Sequence, residues 1–195
     1  MKTFIIHYSP LTLRKQHMLS EIEKHKLDAV FIETEVGPGW YMAMPKGSVS
    51  VFKKHIEAWR RIAIGSNPFG LILEDDAILD DDFLNKLNNY TSQLPSDFDM
   101  LFVGNGWNLH LNIPSGTVGK HKQTRCVDSY IITKTCAAKL LRQVHVGFIS
   151  RAVDWWINDL VTFFNLQIYW AEPTIVRQGS ETGLFNSWNP LRESN

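Results

Sequence analysis

The chain has few cysteines and no surplus of basic residues. Its two cysteines, Cys126 and Cys136, stand outside any CxxC pattern, which excludes a disulfide framework and a zinc site of the usual spacing. Lysine and arginine together number 20 and are matched by 20 acidic residues. Since a nucleic-acid-binding surface normally leaves an excess of positive charge, we expect no nucleic acid among the main partners.

Long apolar runs are also absent. No segment approaches the roughly 20 apolar residues that span a bilayer, and the apolar part of residues 1–7 is too short for a signal peptide. We therefore expect a cytoplasmic or otherwise soluble protein without a transmembrane segment. The 195 residues are 44% hydrophobic and 21% charged, which suffices for a buried core and predicts a single domain over residues 1–195.

Strand-like and helix-like patterns alternate along the sequence. This alternation predicts an α/β fold with a mostly parallel sheet, in which ligands bind beyond the carboxyl ends of the strands. Residues 34–47 and 104–119 are predicted loops, and the polar tail from Arg177 has no predicted element. The predicted strands are 3–7, 29–33, 69–73, 100–103, 127–133 and 167–170, and the predicted helices are 10–26, 48–64, 80–88, 135–143 and 152–164.

Three carboxylates follow the most apolar of these strands. Glu74, Asp75 and Asp76 come directly after the buried run 69–73, and three like charges at such a place need compensation. Hard divalent cations prefer oxygen ligands, and Mg²⁺ is usually held by one or two carboxylates together with substrate phosphates. The cluster therefore indicates a metal–diphosphate site. The alternative is a solvated turn before a helix, which is the preferred interpretation for residues 80–82.

The run Leu73-Glu74-Asp75-Asp76 resembles the LEDD-type signature of glycosyltransferase family 25. This family includes bacterial lipooligosaccharide galactosyltransferases and the collagen galactosyltransferases. Residues 55–59, with the sequence HIEAW, resemble the family's SHxxxW segment. Weaker likenesses follow in order over most of the chain, at residues 5–14, 129–141, 153–154 and 172–178.

The sequence departs from the family pattern at three places. Lys54 replaces the family's serine before the helix histidine, Ser50-Val51 replaces a Gly-Cys pair, and His7-Tyr8 replaces an Asn-Leu pair at the end of the first strand. These differences leave the expected fold intact. They leave the donor and the acceptor open.

The resemblance implies a GT-A-like, Rossmann-type sandwich that binds a nucleotide sugar. It implies an inverting hexosyltransferase that uses Mn²⁺ or Mg²⁺ and moves galactose or glucose from a UDP-sugar. The implied acceptor is a glycan, a lipid-linked saccharide or a hydroxylysine-type hydroxyl group.

The same resemblance assigns roles to individual residues. Asp76 is the expected direct metal ligand, with Glu74 beside it, while Glu74 or Asp75 contacts the ribose or a metal-bound water. Asp154 is the expected general base, and Asp128 and Glu181 are the other candidates. The expected donor-binding residues are Tyr8, Arg14, His55, Glu74, Asp75 and Gln178, and Ser180 is expected to close over the diphosphate together with Gln178.

Two other functions stay open at this point. A sugar nucleotidyltransferase would have a glycine-rich, basic phosphate loop near its N-terminus, whereas residues 8–15 contain no glycine. A non-catalytic carbohydrate- or nucleotide-binding relative is compatible with Lys54 and with the shortness of the chain. The acidic triplet and Asp154 favour an enzyme over such a relative.

Overall fold

The computed structural model describes residues 1–34, 44–145 and 148–186. Most of the predicted loop 34–47 lies outside these ranges. Within them the strands are β1 (Lys2–Ile6), β2 (Ala29–Ile32), β3 (Phe69–Glu74), β4 (Ala77–Leu79), β5 (Met100–Phe102), β6 (Thr117–His121), β7 (Ser129–Thr133), β8 (Ile168–Glu172) and β9 (Val176–Gln178). The helices are α1 (Thr12–His25), α2 (Lys46–Ile64), α3 (Phe83–Ser92), α4 (Lys134–Leu141), α5 (Val153–Phe164) and α6 (Gly179–Thr182).

Seven strands form one sheet in the order β2-β1-β3-β7-β5-β8-β6. Strands β2, β1, β3, β5 and β8 run in one direction, while β7 and β6 run in the other. The sheet is therefore mostly parallel, as the alternation of patterns predicted. Of the two antiparallel strands, β7 lies in the middle of the sheet, between β3 and β5. The beginning of β7 is therefore at the same edge as the carboxyl ends of β3 and β5.

The sheet separates two cores. Phe4, Ile72 and Phe102 lie in the core that also contains the apolar residues of α2, α4 and α5. Ile5 and Leu73 lie in the other core, together with the apolar residues of α1 and α3. Because successive side chains of a strand point to opposite faces, the continuous apolar runs supply both cores, and the result is an α/β/α sandwich. No helix among the described residues is long and apolar enough to cross a membrane.

The structure differs from the sequence-based prediction in the polar segments. The predicted loop 104–119 contains a short 3₁₀ turn at Gly106–Asn108 and the start of β6. The tail predicted to lack regular structure contains β9 and α6, and β9 pairs with β4 directly after the acidic run. The prediction failed here because short polar strands carry no hydrophobic alternation. Helix α2 begins at Lys46, before the predicted serine caps, and the side chain of Asp82 does not cap α3.

A buried ion pair fixes the segment that leads into β7. Arg125 is fully buried and donates through Nη1 to the carbonyl oxygen of Ala171 at 3.0 Å and through Nη2 to Glu172. Its guanidinium group lies 4.5 Å from the ring centroid of Trp170. Glu172 also accepts a hydrogen bond from the backbone N–H of Leu111 at 2.8 Å. Strand β8 therefore anchors the residues that precede β7 at the edge of the sheet.

The substitution Glu172→Gln tests this anchor. It leaves the buried charge of Arg125 without its counter-charge, so we expect the free energy of unfolding to fall by about 3–5 kcal/mol in urea denaturation. The control is Glu57→Gln, because Glu57 pairs with the exposed Arg60 and Arg61 and its loss should cost less than about 1 kcal/mol. Equal losses in the two variants would contradict the anchoring role.

Candidate functional site

The carboxyl edge of the sheet brings together segments from β1, β3 and β7. Ile6 pairs with Glu74, and Leu73 pairs with Ser129. The backbone N–H of Glu74 donates to the carbonyl oxygen of Asp128 at 2.8 Å. The residues that follow β1, those that follow β3 and those that precede β7 therefore leave the sheet side by side, at the edge where an α/β fold binds its ligands.

Asp75 is held by three hydrogen-bond donors. Its Oδ2 accepts from Nδ1 of His7 at 2.8 Å and from the backbone N–H of Tyr8 at 3.2 Å, and its Oδ1 accepts from Nη1 of Arg14 at 2.8 Å. Burial alone would raise the pKa of this carboxyl, but the hydrogen bonds from His7 and Arg14 outweigh burial and lower it. Asp75 is thus an ionised anchor between β3, the end of β1 and helix α1. Its expected contact with the donor stays a prediction.

Asp76 is only partly satisfied by the protein. Its side chain is 2% exposed, and Oδ2 accepts from the backbone N–H of Ser180 at 3.1 Å and lies 3.7 Å from Nη1 of Arg14. Its backbone carbonyl accepts from the N–H of Gly179 at 2.7 Å. The remaining oxygen, Oδ1, is buried and has no hydrogen-bond partner among the described residues. Since buried polar atoms are normally partnered, Oδ1 marks a position that a ligand can satisfy.

Glu74 and Asp128 are carboxyls with raised pKa values. For Glu74 the pKa is raised well above the usual range, first by burial and then by the charges of Asp76 and Asp128. Burial also raises the pKa of Asp128 to about 7, with Asp76 and Glu181 adding to the shift and its own backbone and Ser129 opposing it. The described protein groups therefore supply too little positive charge to offset the burial of these two carboxyls, and carboxyls with such perturbed pKa values cluster at functional sites.

The thiol of Cys126 lies within electrostatic reach of both Asp128 and Asp154. The residue has a left-handed φ of 54°, and it packs so closely on Gly106 that a Cβ there would lie 2.7 Å from Sγ. Burial is the main cause of the raised pKa of its thiol, and the charges of Asp128 and Asp154 add to it. Asp154, in the first turn of α5, therefore lies within electrostatic reach of the same cluster.

Tyr8 and Lys54 form a second part of the edge. Tyr8 follows β1 and is 41% exposed, and Nζ of Lys54 lies 5.6 Å from its ring centroid. Lys54 is buried, which lowers its pKa although the charges of Asp75 and Glu33 oppose the shift. The sequence marked Lys54 only as a departure from a family pattern. Its contact with Tyr8 could not be predicted, because it joins α2 to the end of β1.

His55 lies in the core and not at the surface of the site. Its ring is fully buried, and Nδ1 lies 2.9 Å from the hydroxyl oxygen of Tyr130, which also accepts from Nε1 of Trp59 at 2.9 Å. Burial lowers the pKa of His55 to about 3, and the charge of Lys54 adds to this effect. A contribution of His55 to donor binding would therefore act through Tyr130 or Lys54.

The C-terminal segment covers one side of the cluster. Nη2 of Arg14 donates to the carbonyl oxygen of Asn186 at 2.9 Å, and the guanidinium group lies 5.5 Å from the ring centroid of Phe185. The backbone N–H of Gln178 donates to Oδ1 of Asn105 at 3.2 Å. The structure thus brings Arg14 and Gln178 to the acidic edge. Phe185 and Asn186 could not be predicted as site residues, because they lie in a tail without hydrophobic periodicity.

The buried neutral state of His55 predicts a pH dependence of stability. A histidine has a pKa of about 6.5 when unfolded, and the folded value is about 3, so the unfolded chain binds more protons between these values. Stability should therefore be complete above about pH 6.5 and fall by about 1.4 kcal/mol per pH unit below it. In His55→Gln this part of the slope should vanish, which thermal unfolding from pH 7 to pH 4 can measure. An unchanged slope would show that other groups cause the acid loss.

Comparison with known proteins identifies the fold. No family model and no curated protein matches the sequence. Among solved structures the chain is similar to a mutant of the Drosophila β1,4-galactosyltransferase 7, solved in complex with manganese, UDP-Gal and xylobiose, with a TM-score of 0.51 and 8% identity. The similarity covers 98% of this chain and 78% of that chain. At such an identity the likeness is one of fold, and the chain has a GT-A-like, Rossmann-type α/β fold.

Proposed function

We propose that this chain is a metal-dependent, inverting glycosyltransferase that moves galactose or glucose from a UDP-sugar to a hydroxyl acceptor. The observation that carries the proposal is the buried Oδ1 of Asp76, which has no partner among the described residues and lies just beyond the carboxyl end of β3. The similarity in fold to a galactosyltransferase solved with manganese and UDP-Gal supports it.

Asp76 and Glu74 are the residues that would hold the ion. Among the described residues, no group of three or more His, Cys, Asp and Glu side chains is arranged to bind a metal by itself. An ion held by one or two carboxylates and completed by the donor diphosphate fits this arrangement. When bound, Mn²⁺ or Mg²⁺ supplies positive charge that stabilises the leaving diphosphate.

The residues around Asp76 are suited to hold the nucleotide. Tyr8 offers an exposed ring face for the uracil base. Asp75 orients Arg14 beside Asp76, where a guanidinium group can pair with a phosphate. Gln178 and Ser180 belong to the segment that covers this side of the site, and we infer that they close it around the diphosphate.

Asp154 is the proposed general base. An inverting transfer needs a base that takes the proton of the acceptor hydroxyl as the new bond forms. Asp154 lies in the first turn of α5. The next residue, Trp155, is 62% exposed and offers a ring face to a sugar, whereas Trp156 packs against Phe52 and Trp59 in the core. A ring face of this kind favours an acceptor that presents a sugar, either a glycan or a lipid-linked saccharide, over a hydroxylysine-type group.

A non-catalytic relative that binds a nucleotide or a carbohydrate is the second candidate. It is compatible with Lys54, which replaces the serine of the family pattern and lies against the ring of Tyr8. Such a protein would bind UDP and a divalent ion without turning the donor over. The raised pKa values of Glu74 and Asp128, which burial causes, favour the enzyme because structural carboxyls are usually compensated.

The first test measures release of UDP from a panel of UDP-sugars, with and without Mn²⁺. We expect hydrolysis that needs Mn²⁺, prefers one donor and falls about 100-fold in Asp76→Asn, equivalent to about 2.7 kcal/mol of transition-state stabilisation. The control is Asp82→Asn, because Asp82 is an exposed carboxylate before α3 and its loss should have no effect. Equal turnover by wild type and Asp76→Asn would overturn the assignment. Mn²⁺-dependent UDP binding without turnover of any donor or acceptor would favour the non-catalytic relative.

A second test separates the base from the acceptor platform, using a glycan acceptor found in a screen. Asp154→Asn should lower kcat by about 10²–10⁴-fold while leaving UDP binding unchanged. Trp155→Ala should raise the acceptor KM and leave kcat nearly unchanged, because a lost stacking face weakens binding before and during the reaction equally. Phe163→Ala is the matched control, since Phe163 is an exposed aromatic residue at the other end of α5. An unchanged kcat in Asp154→Asn would exclude it as the base.

A further inference from the structure

The carboxyl group of Asp128 is buried but has no role in the reaction described above. Its side chain is 2% exposed, and neither oxygen has a hydrogen bond of normal geometry among the described residues, although its own backbone N–H and the Ser129 hydroxyl lie close enough to oppose the rise of its pKa. Burial of a carboxylate without partners is energetically costly. Each buried group of this kind calls for an explanation, and a bound ion is one of them.

The backbone leaves space for this carboxyl group at Gly104. A Cβ atom on Gly104 would lie 1.9 Å from Oδ2 of Asp128 and 2.7 Å from its Cγ. Close approach therefore requires the glycine. Gly104 follows β5 and makes a parallel bridge with Val176. The carboxyl group is thus packed against the backbone at the carboxyl edge of the sheet, beside the segment that contains β9.

The charges near Asp128 are mostly of its own sign. The carboxyl groups of residues 74–76 follow the strand that pairs with β7 next to Asp128. The positive charge of Arg125 interacts electrostatically with Asp128. The Nη atoms of Arg125, however, bind Ala171 and Glu172. A neutral ligand such as a sugar hydroxyl would supply hydrogen bonds but no positive charge, whereas a divalent cation would supply the charge that this edge lacks.

Asp76 and Asp128 can each supply carboxylate oxygens to one bound ion. Asp76 follows β3, Asp128 precedes the neighbouring strand β7, and the backbone bond between Glu74 and Asp128 holds these ends together. Each residue is 2% exposed and carries at least one buried oxygen without a partner among the described residues. Two carboxylates from adjacent strands, with the remaining positions left to phosphate oxygens and water, are the usual protein contribution to a site for a hard divalent cation.

We propose that Asp128 takes the place given above to Glu74 as the second protein ligand of the divalent cation and holds it together with Oδ1 of Asp76. A site with two protein carboxylates agrees with the lack, among the described residues, of a group of three acidic or other metal-binding side chains. The inference rests on the proposed function and adds to it a residue that lies outside the LEDD-type run. It places the ion at the carboxyl edge of the sheet, where β3 ends and β7 begins, and it gives Asp128 a binding role that is distinct from proton transfer by Asp154.

The test is the titration of Mn²⁺ alone, and then of Mn²⁺ with UDP, into the metal-free full chain. Calorimetry gives the dissociation constant, and the Mn²⁺ electron paramagnetic resonance signal reports the free ion. We expect Asp128→Asn and Asp76→Asn to weaken Mn²⁺ binding by about tenfold or more each. Asp154→Asn is the matched control, because it removes the same charge from the same neighbourhood without removing a proposed ligand, and it should change the constant less than about twofold.

Thermal unfolding supplies a second readout that does not depend on activity. Asp128→Asn conserves the shape of the side chain and removes a buried charge, so the metal-free variant should have a higher Tm than the metal-free wild type. Mn²⁺ should then raise the Tm of the wild type and of Asp154→Asn but not that of Asp128→Asn, since only a ligand that binds the folded state stabilises it. A folded Asp128→Asn variant with this pattern would exclude misfolding as the cause of lost binding.

The outcomes separate this inference from the proposed function. Wild-type Mn²⁺ affinity in Asp128→Asn together with lost binding in Asp76→Asn would overturn the role of Asp128 and leave the proposed function intact. Equal weakening of Mn²⁺ binding in Asp128→Asn and Asp154→Asn would show that only the loss of negative charge matters. That result would also overturn the role of Asp128 as a ligand. Absence of Mn²⁺ binding by the wild type, with and without UDP, would overturn both.

Discussion

The hydrogen bonds to Asp75 hold the acidic end of β3 against the rest of the molecule. They come from the end of β1 and from helix α1, and they allow a buried carboxylate to stay ionised where burial alone would oppose its charge. Arg14 extends the same arrangement to the C-terminal segment through Asn186. Without these donors, three adjacent carboxylates at the edge of a hydrophobic sheet would repel one another with little compensation.

Three neighbouring acids have three different environments as a result. Asp75 has both oxygens occupied by the protein, Asp76 has one oxygen occupied, and Glu74 has a pKa raised by burial and by its neighbours. The partners belong to different elements: the end of β1 and helix α1 for Asp75, α6 for Asp76, and the residue before β7 for Glu74. Identical chemistry in the sequence is thus divided into an anchor, a candidate ligand and a protonatable group by contacts that are distant in sequence.

The parts of this structure that the sequence predicted are those with strong local signals. The apolar run of β3 and the acids after it placed the site at a strand end, and helices α1, α4 and α5 were predicted within a few residues because their apolar positions repeat at helical spacing. Strands β4, β6 and β9 were missed because they are short and partly polar. The burial of Lys54 and Asp128 could not be predicted either, because a charged side chain is usually exposed and only tertiary neighbours decide otherwise.

The pairing of β4 with β9 joins the residues after the acidic run to a segment near the other end of the chain. Ala77 lies opposite Gln178, and Gly179 and Ser180 bond to Asp76 directly afterwards. Loop-closure entropy delays contacts between segments so far apart in sequence. During synthesis on a ribosome, strands β1, β2 and β3 of the seven-stranded sheet are therefore available long before β9 and α6, which complete the surroundings of Asp76. A nascent chain would acquire its ability to retain a ligand at Asp76 only after residues 176–180 had emerged.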